Sequence, residues 1–351
     1  MRFRFVTSTP LDVRSGSGTY VGIHVLARAL ESLGHEVAFE TPKRRLPIYT
    51  LQRLLFNRAL RPAPEFDWTI GFDMDGYGIA DARTHVASLK GVIADEVRFE
   101  RGLTRWSMSL QSDRERLHVR RAQRVIVTSR YSAARAREFY GLDEEPLVVP
   151  ELIDLAEWRR LLEANAAIAS ARFTVLFVGR FYRRKRIDVL LRAAAQLREA
   201  IPGLEVRIVG NGPCAAKLRS LSRDLALDDT VTWLGDVSRF DLVREYSRCD
   251  VFCLPSVQEG FGIVLLEAMA AGKPIVAARA GAIPEVAPHA ILTDADSPHA
   301  LAAGVESLYR SPNTRLALAR TGAAWVEQFD APRVAVQFVD AVRSAVPATA
   351  A

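Results

Sequence analysis

The stretch AEWRRLLEANAAIASARFTVLFVGR (156–180) decides how this chain is divided. Its first part, residues 156–171, has the spacing of a helix that runs out into small residues. Its second part, FTVLFVGR (173–180), is a β-branched apolar run closed by a glycine, which is how a buried strand begins a new α/β series. Upstream, strand patterns occur at 2–8, 36–41, 67–72, 85–91, 124–129 and 147–150. From 173 onward the series starts again, with runs at 204–210, 231–237, 251–256, 274–279 and 290–294. Helical periods fill the gaps, as at 19–33, 186–200, 239–248 and 262–271. Strands alternating with helices imply parallel sheets covered on both faces. The boundary is therefore expected near 155–172, between two Rossmann-like, doubly wound α/β domains at 1–160 and 171–330. A last helix (332–346) is expected to pack back on the first domain.

Length agrees, since 351 residues suggest about two domains. The composition is that of a globular chain, and no run approaches the roughly 18 apolar residues of a membrane span. The opening MRFRFVTSTP lacks the long apolar segment of a signal peptide, so a cytoplasmic location is expected. Cys214, Cys249 and Cys253 are too few and too unevenly spaced for a disulfide framework or a zinc site. The net charge of +6 is unevenly placed. Residues 42–62 carry Lys43, Arg44, Arg45, Arg53, Arg58 and Arg61 with no acid, interleaved with Leu46, Ile48, Leu51, Leu54, Leu55 and Leu60. Residues 98–137 carry eleven arginines against Glu100, Asp113 and Glu115. Such faces suit anionic lipid headgroups, a phosphorylated acceptor or nucleic acid, or are simply solvated.

Facing domains of this kind place ligands in the cleft at the carboxyl ends of their strands. Phosphate-friendly loops fall there. One holds Gly16 and Gly18; the others are RFYRRKR after 180, Gly210-Asn211-Gly212, and SVQEGFG (256–262). GSGTYVG with Glu40 at the next strand end imitates a dinucleotide fingerprint, but its loop is too long for the required tight turn. Asp73-x-Asp75 has a spacing used for divalent metals, yet lacks a third ligand and reads better as a polar helix-capping loop. Arg180 and Lys185 put two cations at a helix entrance, where they suit a diphosphate. Glu259 lies in a turn before a helix. Glu267 lies inside an otherwise apolar helix, where a carboxylate needs a partner or a function.

Together the motifs VLFVGRFYRRKRIDVLLRAAAQL (175–197), VRIVGNGP (206–213), VTWLGDV (231–237) and CDVFCLPSVQEGFGIVLLEAMAAGKPIVAARAGAIPEV (249–286) closely resemble family-4 glycosyltransferases of the GT-B fold. The E-x7-E spacing from Glu259 to Glu267 is that family's signature. The resemblance is close over about 170–290 and loose before it. It implies retaining transfer of a hexose from a nucleotide-diphosphate sugar to a hydroxyl, in cell-envelope polysaccharide or glycolipid synthesis, with no metal or other cofactor. By the same resemblance Arg180 and Lys185 hold the diphosphate, with Gly16 and Gly18 facing it from the other domain. Glu259 contacts the sugar, beside backbone N–H groups of Phe261, Gly262 and Ile263. Glu267 accepts from the ribose hydroxyls, its partner being present only with donor bound. Backbone at Asp236 and Val237 holds the base.

Two departures stand out. Where relatives carry a sugar-contacting His, this chain has Lys90, so Lys90 or nearby Asp95 is the candidate for that pocket. Where they read P-N-G-x-D, this chain reads PELID (150–154). The basic segments favour a lipid-linked or phosphorylated acceptor, with peripheral contact at the inner membrane face through 42–62 and 98–137; nucleic acid is not expected. A soluble acceptor and a GT-B nucleotide-sugar isomerase are the alternatives.

Overall fold

The computed structural model describes residues 1–9, 18–44, 46–80, 84–165 and 172–344, with the side chains of Gly18 and Thr19 excepted. Contacts divide the chain into two compact units, Met1–Leu152 with Ala331–Ala351, and Ile153–Asp330.

The first unit holds β1 (Arg2–Val6), α1 (Gly18–Ser32), β2 (Glu36–Glu40), α2 (Tyr49–Ala59), β3 (Trp68–Phe72), β4 (His85–Leu89), α3 (Ile93–Val97), α4 (Gly102–Arg121), β5 (Arg124–Val127), α5 (Arg130–Tyr140) and β6 (Leu147–Val148). All six strands are parallel, in the order β2-β1-β3-β4-β5-β6. The register sets Phe5 of β1 between Phe39 of β2 and Ile70 of β3. Strands β3 and β4 are buried along their whole length, as expected of parallel strands covered on both faces. Helix α1 turns Ile23, Leu26, Ala27 and Leu30 to the core at helical spacing. Against it packs the chain's last helix, Ala331–Arg343, through Val334, Ala335, Phe338, Val339 and Val342.

The second unit holds α6 (Leu155–Ala164), β7 (Thr174–Val178), α7 (Ile187–Ala200), β8 (Glu205–Val209), α8 (Ala215–Asp224), β9 (Val231–Gly235), α9 (Arg239–Arg248), β10 (Val251–Leu254), α10 (Ile263–Ala270), β11 (Ile275–Ala278), α11 (Ile283–Val286), β12 (Ile291–Thr293), α12 (Pro298–Arg310) and α13 (Pro312–Trp325); the helix Ala331–Arg343 of the first unit is α14. Its parallel sheet runs β12-β11-β10-β7-β8-β9. Counted from β7, that is the Rossmann order, with its switch point between β7 and β10. In the first unit the order reverses between β1 and β3 instead. The fold class is the expected α/β one, two Rossmann-like doubly wound sheets. Helix starts follow capping chemistry. Ser129, Asp154 and Ser238 each accept from a backbone N–H three residues on, opening α5, α6 and α9.

Helix α2 packs by a polar side. The side it buries is polar, with Thr50, Gln52, Arg53 and Asn57, while Leu51 and Leu55 face outward. The cause is Asp75, fully buried beyond the end of β3. Its carboxylate accepts from the Ser8 amide and hydroxyl at 2.7 Å, from Asn57 at 2.8 Å and from Arg53 at 3.1 Å. Asp73-x-Asp75 is thus neither a helix cap nor an open carboxylate pair. Asp75 ties the ends of β1 and β3 to α2, and Asp73 sits at φ +53° with Oδ1 accepting from the Lys90 amide. Glu40 is also accounted for locally, because Arg4 of β1 donates to it at 2.6 Å.

Candidate functional site

In the second unit the singled-out residues gather beyond the carboxyl ends of four neighbouring strands, β9, β8, β7 and β10. Arg180 follows β7. Its guanidinium is half-exposed and lies 4.0 Å from the carboxylate of Asp236, which follows β9. Lys185 ends a short 3-10 turn (Arg183–Lys185) before α7. Its ammonium donates to Glu259 at 2.6 Å, and both side chains are largely buried. The cation and the first glutamate of the E-x7-E pattern are therefore one ion pair, made across 74 positions of sequence. The Glu259 loop is held tightly. Its carbonyl accepts from Ala282, and a Cβ on Gly281 would stand 2.7 Å from the Glu259 backbone. Ser256 and Gln258 in the same loop are buried, with side-chain atoms that have no hydrogen-bond partner.

Helix α10 starts directly after this loop. Its first turn has no side-chain cap, and Gly262 enters it at φ +91°, a left-handed conformation that suits glycine. The first N–H groups of Ile263 and Val264 thus meet no capping side chain, at the end of a helix that favours anions. Gly210, at φ +116°, and Gly212 are also required to be glycine by close packing. A Cβ at 210 would meet the Gly179 carbonyl at 2.1 Å, and one at 212 the Phe181 amide at 2.6 Å. Asn211 accepts from Gly212 through its side chain and from Phe181 through its carbonyl.

Glu267 is buried, but it already has protein partners. Its Oε2 accepts from the Tyr246 hydroxyl at 2.9 Å, and its Oε1 faces Arg239 at 3.6 Å. The expectation that its partner appears only with a ligand is corrected to that extent. Burial raises its pKa above the ordinary carboxylate value, and Arg239 and Tyr246 pull it back. Arg239 was not singled out from the sequence, where SRFDL reads as an ordinary capped helix start.

In the first unit, Lys90 follows β4. Its ammonium donates to Glu151 at 3.0 Å and lies 5.8 Å from the Phe72 ring centroid. Glu151 belongs to PELID, so the chain's two departures from the resembled pattern are partners of one buried ion pair. Its carboxylate also fills the space beside Gly22 of α1, where a Cβ would meet it at 2.4 Å. Asp95 does not join them. Its oxygens take the Tyr131 hydroxyl at 2.6 Å and Arg98 at 3.1 Å. Gly16 lies outside the described residues, and Gly18 is the first residue of α1.

Residues 159–325, which contain all of the second unit's site, match the family described as glycosyl transferases group 1. The match spans a little under half of the chain. Among relatives of this chain, a D-inositol 3-phosphate glycosyltransferase of Pseudarthrobacter chlorophenolicus is 32% identical over 237 residues, 64% of this chain and 56% of the relative. A GDP-mannose-dependent alpha-(1-6)-phosphatidylinositol monomannoside mannosyltransferase of Mycobacterium tuberculosis is 30% identical over 217 residues, 58% of this chain and 56% of the relative. The chain thus spans little more than half the length of these curated relatives. Among solved structures, sucrose-phosphate synthase from Thermosynechococcus elongatus superposes with a TM-score of 0.80 at 21% identity, covering 98% of both chains. WaaG, a glycosyltransferase involved in lipopolysaccharide biosynthesis, gives 0.76 at 18% identity, covering 97% of this chain and 99% of its own. These likenesses show the GT-B fold.

Proposed function

We propose that the chain is a retaining, metal-independent glycosyltransferase that moves a hexose from a nucleotide-diphosphate sugar to a hydroxyl acceptor. The observation that carries this reading is the Lys185–Glu259 pair beside the uncapped start of α10. It sets a cation and free N–H groups where a departing diphosphate needs them, with a carboxylate at hand for sugar hydroxyls. The second unit is the donor domain. Glu267 takes the ribose hydroxyls, and backbone at Asp236 and Val237 takes the base. The first unit serves the acceptor. The bond from the anomeric carbon to the diphosphate oxygen breaks as the bond to the acceptor oxygen forms. The acceptor proton passes to a phosphate oxygen, and Arg180, Lys185 and the α10 N–H groups stabilise the charge left on the diphosphate. Lys90, paired with Glu151, is the candidate for the sugar pocket on the acceptor side; Asp95, already spent on Tyr131 and Arg98, is not.

The acceptor reading is a lipid-linked or phosphorylated glycan at the inner membrane face. Its support is the outward face of α2 and the start of α4. Ile48, Leu51 and Leu55 are 63%, 44% and 49% exposed, and Leu103 and Trp106 are 86% and 69% exposed. Lys43, Arg44, Arg58, Arg101 and Arg105 are exposed in the same segments. The two helices are joined by Thr50 with Ser107 and by Arg53 with Gln111. Apolar side chains among cations match the boundary of an anionic bilayer. No helix among the described residues is long and apolar enough to cross a membrane.

The test is a panel of nucleotide sugars, UDP- and GDP-linked, assayed for thermal stabilisation, hydrolysis and transfer to lipid-linked and soluble glycans, with and without a chelator. One donor is expected to stabilise the protein and be turned over with chelator present. Loss of turnover that manganese restores would overturn metal independence, and a changed sugar nucleotide with no transfer would favour an isomerase.

A further inference from the structure

Arg239 opens α9 and is placed unusually for a cation beside a buried acid. Its guanidinium lies 5.0 Å over the ring of Trp158, itself fully buried, and Trp158 packs edge-on against Tyr246 at 5.6 Å. That stack holds the guanidinium between two carboxylates without bonding to either. Glu267 Oε1 is 3.6 Å away and Glu157 Oε2 is 4.0 Å away. Tyr246 occupies the other oxygen of Glu267. Among the described residues, no other cation of the elements packed on α10 is paired with Glu267; Arg160 of α6 is exposed. Strand β11 has no titratable side chain, Glu327 after α13 pairs with Arg159, Arg315 bonds to the Leu308 carbonyl, and Arg320 is exposed.

We propose that Arg239 is the positioning residue of the donor site: it holds Glu267 in the ionised form while staying out of hydrogen-bond range, so that Oε1 remains available to accept from a ligand hydroxyl. The inference rests on the reading of Glu267 as the ribose acceptor. A closer arginine would fill Oε1 itself. With no cation, the buried carboxyl would hold its proton to higher pH and lose half of its accepting capacity. The Trp158 face fixes the distance, by holding the guanidinium over the ring.

The experiment is calorimetric titration of UDP and GDP into the full chain between pH 5.5 and 8.5, for wild type, Arg239→Met, Arg239→Lys and Glu267→Gln. Arg239→Met should move the acid limb of nucleotide affinity upward, with its loss of affinity relative to wild type largest at pH 5.5 and smallest at pH 8.5. Arg239→Lys should restore most of the acid limb, and Glu267→Gln should be weak and flat across pH. A merely structural Arg239 would lower affinity equally at every pH, and that result, or no loss at all, overturns the proposal. If Glu267→Gln binds as wild type does, or wild type binds neither nucleotide, the ribose reading fails first and the proposal with it.

Discussion

Breaking the Lys185–Glu259 pair from either side should give opposite results for ligand binding. The two charges are 2.6 Å apart, with side chains 15% and 7% exposed. Removing one partner of a buried pair costs about 3–5 kcal/mol, because the other is stranded without water. In Lys185→Met the stranded charge is Glu259, 7% exposed, and a cost of at least about 3 kcal/mol is expected. For a unit of this size that corresponds to a fall of roughly 6–12 °C in its melting transition. The double variant Lys185→Met/Glu259→Met strands no charge and should melt higher than Lys185→Met alone. Ligand binding then separates the partners. Lys185→Met loses a charge-assisted bond to the diphosphate, about 1.5–3 kcal/mol, or roughly 10- to 150-fold in UDP or GDP affinity. Glu259→Gln leaves the lysine uncompensated, so nucleotide-diphosphate affinity should hold or rise while sugar transfer falls. Calorimetry with the melting curves reads both effects. The reasoning is refuted if Lys185→Met binds nucleotide diphosphate normally, or if the double variant loses the full sum of the two single losses.

Gly281→Ala should disturb Glu259 without touching its carboxylate: φ is +58° and the new Cβ would press on the Glu259 backbone. A loss of about 1–3 kcal/mol is expected from the left-handed backbone alone, with weaker nucleotide binding, and an unchanged melting curve would contradict it. His85 and His118 should remain neutral down to pH 5 in nitrogen-15 NMR spectra. His118 Nδ1 donates to the Asp73 carbonyl and its Nε2 accepts from His85, whose pKa burial lowers to about 2 while lowering that of His118 to about 4. Since the unfolded imidazoles protonate near the ordinary 6.5, this pair costs stability as pH falls from there; Asp73, raised to about 6 by burial, acts in the opposite sense. A titration midpoint near 6.5 for either ring would show that the pair is not sealed. Vesicles rich in anionic lipid should sediment the chain at low salt and release it at high salt, and Leu103→Ser/Trp106→Ser should weaken that binding at least severalfold; no binding at low salt would remove the membrane reading.

The strands were legible because parallel strands buried on both faces leave near-continuous apolar runs rich in β-branched residues, as in TVLFV and IVAA. Most residue types of the candidate site were legible because they follow strand ends. Their pairing was not: Lys185 with Glu259 and Lys90 with Glu151 join positions 74 and 61 apart, which no local period encodes. The inner side of α2 was not legible, for a physical reason. It is polar because buried Asp75 draws Arg53 and Asn57 inward, which leaves Leu51 and Leu55 outward. Arg239 left no signal, because its role depends on Trp158, far upstream on another helix.

Hydrogen–deuterium exchange with and without saturating UDP or GDP reads the donor grip residue by residue. Backbone amides at 180–185, 236–237 and 259–265 should slow together on nucleotide addition, most of all the uncapped N–H groups of Ile263 and Val264. Protection confined to other strand ends, with these amides exchanging as before, would mean that this loop set does not hold the nucleotide.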